Sequence, residues 1–199
     1  NNITVKVVEK NKFPRFVIGE SLLAKSMDNF EEAGVLETLK EEGFQVKNGA
    51  LFIKNSATCE FDFSEQFTKG WGWTWQVPRA DFDKVIADKV QFDGVEIAYK
   101  SEVMNVELFD SYSIVTVSSY DSKFQISTKF IIDSSGYGRV LPKQLNLDVP
   151  SLLPSRDAIF SHFKDVNRPK GSASNRITAI SHKSDVWAWV IPFSNGVTS

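Results

Sequence analysis

Apolar and polar positions along this chain switch repeatedly between a two-residue and a helical period. Ile3-Thr4-Val5-Lys6-Val7-Val8 is a β-branched run closed by Glu9 and reads as a strand. From Ser21 the spacing becomes helical. Leu22, Leu23, Ser26, Met27 and Phe30 line one face of a helix over 21–33 with Ser21 as its N-cap, and a second helix covers 35–42. Gly34 breaks the pattern between them, and Gly43 stands where a helix ends in a left-handed residue. Short strands follow around 44–46, 50–53 and 58–63, the first two parted by a turn at Lys47-Asn48-Gly49. Trp71, Trp73 and Trp75 alternate, so three indoles share one strand face.

Pro78 opens a helix whose buried stripe is Phe82, Val85, Ile86, Ala87 and Val90. Strands are expected at 95–98 and 101–109, then a meander of 112–118 and 123–128 turning at Asp121-Ser122. Phe130-Ile131-Ile132 reads as a buried strand running into Asp133-Ser134-Ser135-Gly136. A short helix, a Pro-rich passage from Pro150 to Pro154 and a loop at Lys170–Ser174 separate it from final strands at 158–166, 176–182 and 186–193. Ser194-Asn195-Gly196 is a hairpin signal followed by only three residues, and the chain opens on Asn1 rather than Met. The sequence therefore reads as an internal piece of a longer protein. The fold class expected is α/β with an α+β mixture: a nucleotide-binding half interleaved with a half rich in antiparallel strands.

Composition narrows the function. At 199 residues, 42% hydrophobic and 24% charged, the chain has an ordinary globular make-up that excludes wholesale disorder. A net charge of −2 without a Lys/Arg cluster offers no footprint for nucleic acid or an anionic membrane. No membrane span or signal peptide is legible, and a cytoplasmic location is the default. Cys59 is the single cysteine, which forbids an intrachain disulfide and a Cys-based zinc cage. His162 and His182 are the two histidines, so no metal site is expected. The 16 Phe, 5 Trp and 4 Tyr permit a large apolar cavity.

Candidate chemistry gathers at four places. Glu9 closes an apolar strand where a carboxylate can take a ribose diol; a solvated surface glutamate is the plain alternative. Arg15 and the Ile18-Gly19-Glu20-Ser21 entry to the first helix can hold an anion, or can be a capped helix and its loop. Lys47 is either a hairpin-turn residue facing water or a lysine placed for chemistry. The two tryptophan alternations, 71/73/75 and 187/189, suit a core wall as well as a ligand wall.

Four of these stretches carry a resemblance. Pro14-Arg15 with Ile18-Gly19-Glu20-Ser21-Leu22-Leu23, Gln76-Val77-Pro78-Arg79 with Phe82-Asp83, Ile131-Ile132-Asp133-Ser134-Ser135-Gly136, and Trp187-Ala188-Trp189-Val190-Ile191-Pro192 occur in an order that resembles flavin-dependent halogenases and related flavoprotein monooxygenases. The resemblance spans Val5 to Gly196 but lacks the family's glycine-rich pyrophosphate loop and its later Gly-Asp motif. It implies part of a Rossmann-like FAD domain (1–43 and 77–150) interleaved with an antiparallel-sheet substrate domain (44–76 and 151–199). FAD is the implied cofactor, with Glu9, Arg15, Gly19, Glu20, Ser21, Arg79, Asp133 and Gly136 as its neighbours. Lys47 is the implied catalytic residue: its ammonium hydrogen-bonds hypohalous acid, or its amine is halogenated. Trp187, Trp189, Ile191 and Pro192 are the implied shield between flavin and substrate. The implied partners are halide, an electron-rich aromatic substrate, free or carrier-tethered, and a separate flavin reductase. A monooxygenase or reductase on the same scaffold, and a non-catalytic sheet-rich binding domain, are the alternatives.

Overall fold

The computed structural model describes residues 3–120 and 122–199. In chain order the elements are β1 (Lys6–Val8), α1 (Ser26–Glu32), α2 (Leu36–Glu41), β2 (Gln45–Lys47), β3 (Gly49–Lys54), β4 (Ala57–Asp62), β5 (Thr74–Gln76), α3 (Arg79–Phe92), β6 (Glu96–Ala98), β7 (Ser101–Leu108), β8 (Ser113–Ser119), β9 (Lys123–Thr128), α4 (Val140–Gln144), β10 (Phe163–Lys164), β11 (Arg176–Ser181), β12 (Trp187–Val190) and β13 (Val197–Thr198). The mixed α/β class expected from the sequence holds. The chain divides into two compact units, Asn1–Lys12 with Val90–Asp157 and Phe13–Lys89 with Ala158–Ser199. These bounds differ from the expected cofactor and substrate domains, which are a functional division.

In the first unit β1 pairs in parallel with β6, and β7, β8 and β9 form the expected meander. Asp121 of its turn lies outside the described residues. Val106, Val115 and Val117 are buried, with Val8, Phe124, Ile126, Ile131 and Leu141 packed on them. The run Phe130-Ile131-Ile132 corrects an expectation: it belongs to no strand, and Phe130 and Ile132 are 78% and 80% exposed. In extended chain successive side chains face opposite ways, and only the Ile131 side meets the core.

The second unit holds the larger core. Met27, Val35, Leu36, Leu39, Phe44, Trp75, Val77 and Phe82 are buried together, with Leu22, Phe30, Trp71, Trp73, Val85 and Ile86 against them. The indoles meet edge-to-face, Trp71–Trp73 at 5.7 Å and Trp73–Trp75 at 5.2 Å between centroids, but the strand expected to carry all three is only β5, so Trp71 and Trp73 stand in the irregular chain before it. Gly34 and Gly43 end their helices at φ +70° and +63°, where the Cβ of another residue is disfavoured.

Three expectations change here. Residues 20–22 are extended rather than helical: Leu22 N–H donates to the Trp75 carbonyl and Val77 N–H to that of Glu20, so Ser21 bridges Gln76 and caps nothing. This pairing satisfies backbone groups that a frayed first turn would leave open. Next, Lys47-Asn48-Gly49 joins no hairpin. β2 pairs with β5, while β3 pairs in parallel with β11 and antiparallel with β4, in the sheet β12-β11-β3-β4. Gly49 permits the switch, since a Cβ there would lie 2.2 Å from the Phe61 carbonyl oxygen. Finally, the strand expected at 158–166 shrinks to β10, which pairs with β13 after the chain turns back at Gly196.

Leu39 is fully buried and Leu23 is 69% exposed. Leu39→Ala is expected to cost about 3 kcal/mol in a denaturant titration and Leu23→Ala less than about 0.5 kcal/mol.

Candidate active site

Lys47 decides between its two readings. It is 5% exposed, so it does not face water as a turn lysine would. It ends β2 opposite Thr74, and its Nζ donates to the Leu22 carbonyl oxygen at 2.8 Å and stands 5.4 Å from the centre of the Phe63 ring. No carboxylate pairs with it among the described residues. Burial therefore pushes its pKa down from 10.5 to about 8.

The register shows what shares its face. Gln45 stands opposite Gln76, Lys47 opposite Thr74, and Ser21 opposite Gln76 on the other side. Directly paired residues project to the same side, so Gln45, Lys47, Thr74, Gln76 and Ser21 make one polar face. Trp75 and Leu22 point the other way, into the aromatic core. Gln45 is tied down by Arg168 (3.1 Å) and by Asn175 (2.8 Å). Sequence reasoning missed Thr74 and Gln76; only the alternation through Trp75 marked their opposite face.

The arginines meet at a carboxylate. Arg15 Nη1 donates to Asp83 at 2.9 Å, and Arg79 binds the same carboxylate through Nε at 2.8 Å and Nη2 at 3.1 Å. The Asp83 side chain is 11% exposed. Arg79 Nη1 also reaches the carbonyls of Ile18 and Gly19 at 3.2 and 3.3 Å. Gly19 has φ +116°, and a Cβ there would sit 2.8 Å from Arg79 Nη1, so only glycine lets the loop lie against the guanidinium. Glu20, 3% exposed, faces His162, with Nε2 and Oε1 2.6 Å apart, and His162 stands among Phe16, Phe160 and Phe193. Across 142 positions, no sequence spacing announces that pair.

Glu9, Asp133 and Gly136 belong to the other unit. Glu9 accepts the Asn11 N–H at 2.8 Å. Asp133 accepts the N–H groups of Ser135 and Leu141, and these contacts, led by that with Ser135, hold its carboxyl below the usual range. Gly136 takes φ +55° at the turn that follows.

In the second unit Trp187 and Trp189, about half exposed, flank an open cavity of about 470 Å³ on the β12-β11-β3-β4 sheet, floored by Phe52 and Ala179. Lys47 does not line it. Ile191 exchanges backbone hydrogen bonds with Ser199, and Pro192 is buried beside it.

The sequence profile named tryptophan halogenase matches residues 54–199. The chain belongs to the tryptophan halogenase family. A carrier-protein-bound pyrrole-2-carbonyl brominase of Pseudoalteromonas luteoviolacea is 30% identical over 195 residues, 96% of this chain and 47% of that one. A tryptophan 2-halogenase of Chondromyces crocatus is 27% identical, over 98% of this chain and 37% of its own. The solved structure of a flavoprotein/dehydrogenase from Cytophaga hutchinsonii superposes with a TM-score of 0.94 at 51% identity, covering 98% of this chain and 48% of that one. This halogenase-family chain thus spans about half the length of such relatives. No helix of the described residues is long and apolar enough to cross a membrane, and no three His, Cys, Asp or Glu side chains among them gather as a metal site.

Because the folded pKa of Lys47 lies near 8 and the unfolded one at 10.5, the unfolded chain binds more protons between them, and stability climbs with pH across that window. At pH 7 in halide-free buffer, Lys47→Met is expected to stabilise the chain by up to about 3 kcal/mol in urea titrations. The gain should fade by pH 10.5; an equal gain at both pH values contradicts the buried charge.

Proposed function

We propose that this chain is the FAD-binding and lysine-bearing part of a flavin-dependent halogenase that acts on an electron-rich aromatic ring. The observation that carries the reading is a buried, carboxylate-free Lys47 in a member of the tryptophan halogenase family. Arg15 and Arg79 would hold the FAD diphosphate, with Gly19 letting the loop close on the Arg79 guanidinium; the two guanidiniums brought together there fit the group. Glu20 and Ser21 border the same loop, while Glu9, Asp133 and Gly136 are the proposed cofactor neighbours in the other unit. When bound and reduced, FAD would supply the two electrons that activate O2, and the oxygen so activated is the oxidant that takes two electrons from halide.

The residues of the chain do the rest. The Leu22 carbonyl takes one N–H of the Lys47 ammonium and leaves two to donate. Those donors polarise the O–X bond of hypohalous acid and aim its halogen at the ring; with pKa near 8, the same nitrogen can also act as a free amine that takes the halogen as the O–X bond breaks, the oxygen leaving as water with a proton from the nitrogen. Trp187 and Trp189 would keep the organic substrate from the cofactor, held in place by the backbone hydrogen bonds of Ile191 to Ser199 and the buried Pro192 just past the strand. The brominase relative supports a carrier-tethered pyrrole as one substrate class. A separate flavin reductase and a cytoplasmic location complete the reading. The likeness to a flavoprotein/dehydrogenase at 51% identity favours a second one, a flavin reductase or monooxygenase on the same scaffold.

The test supplies reduced FAD, O2, bromide and a pyrrole, phenol or indole to the intact protein, and reads products by mass spectrometry. Brominated product is expected, with Lys47→Met lowering it about 100-fold while reduced FAD is still consumed. Hydroxylated product, or NAD(P)H-driven flavin reduction without brominated product, supports the second reading. Arg79→Gln is expected to weaken FAD binding roughly tenfold.

A further inference from the structure

The second unit holds another open cavity, of about 480 Å³. Phe52, Phe61, Phe63 and Trp71 wall it, and Asp62 and Glu65 bring two carboxylates to it. No lysine, arginine or histidine lines it. Phe63 ties the cavity to Lys47, because its ring centre lies 5.4 Å from Nζ. Trp71 ties it to the aromatic core. We propose that this cavity takes a flat aromatic guest carrying one ammonium group, and that Asp62 and Glu65 select it by charge.

The walls and the charges select the same guest. Four aromatic side chains offer ring faces and edges to a flat ring, and Phe52 and Phe61 already meet edge-to-face at 5.7 Å. Aromatic faces attract a cation and not an anion. The Ser64 hydroxyl and N–H donate to Asp62 Oδ1 at 2.6 and 2.9 Å, and together with Arg176 they hold that carboxyl below the usual range. Arg176 Nη1 pairs with Glu60, and Nη2 stands 3.8 Å from Asp62. Glu65 is exposed, and no ion pair among the described residues holds its carboxylate. Glu60, Asp62 and Glu65 thus face a single guanidinium, and negative charge is left over for the guest. Gln66 gives an amide N–H to the Gly70 carbonyl at 3.0 Å and keeps its oxygen as one more acceptor for an ammonium.

Lys47 sets the orientation. Its ammonium repels that of the guest, so the guest's charge goes to the carboxylates and its ring to the Phe63 wall. The inference rests on the halogenase reading for calling this guest the substrate class; the charge preference itself is read from the cavity. It departs from the brominase relative, because a pyrrole-2-carbonyl group carries no cation.

Isothermal titration calorimetry of the intact protein tests it with tryptamine and with indole-3-propionate, which keeps the ring and reverses the charge. Tryptamine is expected to bind at least about tenfold more tightly at low salt, with the preference shrinking toward about 1 M salt. Glu65→Gln should lower the preference about threefold, and Glu65→Lys should abolish it. The Glu65 side chain is exposed, and near-UV circular dichroism of the Trp71, Trp73 and Trp75 cluster checks that both variants fold. Equal affinity for the two ligands, tighter binding of indole-3-propionate, or an unchanged preference in folded Glu65→Lys overturns the inference. Bromination of indole-3-propionate as readily as of tryptamine would overturn it as well, and would leave the halogenase reading intact. Selective tryptamine binding with no brominated product from any substrate would uphold the charge preference and sink that reading.

Discussion

Burying an ammonium without a carboxylate is unfavourable, and the centre of the second unit is arranged around holding one there. Lys47 keeps a single backbone acceptor, the Leu22 carbonyl, and an aromatic neighbour in Phe63. The strand that supplies that carbonyl exists only because residues 20–22 add to the edge of β5. The reverse side of the same small sheet carries Trp75 and Leu22 into a core with Met27, Leu39 and Phe82. Apolar burial on one side thus offsets the cost of a polar, partly unsatisfied side on the other. A site that costs stability where chemistry needs it is the usual trade in enzymes.

The loop leading into this sheet is fixed by ion pairs rather than by helix capping. Asp83 joins Arg15 and Arg79, and Arg79 in turn lies against Gly19. One residue further on, Glu20 is fastened to His162, which a cage of phenylalanines surrounds. Contacts of this kind bring residues from 13–21, 79–83 and 162 to the strand that holds Lys47. Arg168 does the same from the other side, linking Gln45 to the Phe193 carbonyl. Changing any of them would act on Lys47 through the backbone of Ser21 and Leu22 or through Gln45.

Much of this was legible in the sequence, for identifiable reasons. Period-two spacing announced the indole stack and the meander, and glycines after apolar runs announced both helix ends. The resemblance to flavin-dependent halogenases points to Arg15, Gly19, Arg79 and Lys47 from the sequence alone. What stayed hidden depends on long-range pairing. Ser21 looks like a helix cap because its neighbours have helical spacing, yet backbone pairing with Gln76 wins. Lys47-Asn48-Gly49 looks like a hairpin, yet Gly49 lets the chain change sheets between β2 and β3. Asp83 is tied to Arg15 from 68 positions away, a pairing that no local spacing shows. Gln76 heads the Gln76-Val77-Pro78-Arg79 stretch, yet only the pairing of β2 with β5 shows that it and Thr74 share a buried polar face with Lys47.

The central claim is that Lys47 is buried as an unpaired ammonium. Its most direct test is an NMR titration of lysine side chains labelled at Cε, with the Lys47 signal assigned by its loss in Lys47→Met. A midpoint near 8, well below the 10.5 of an ordinary lysine, is what this account predicts. A midpoint at or above 10.5 would mean that Lys47 is solvated or paired with a carboxylate, and would contradict it.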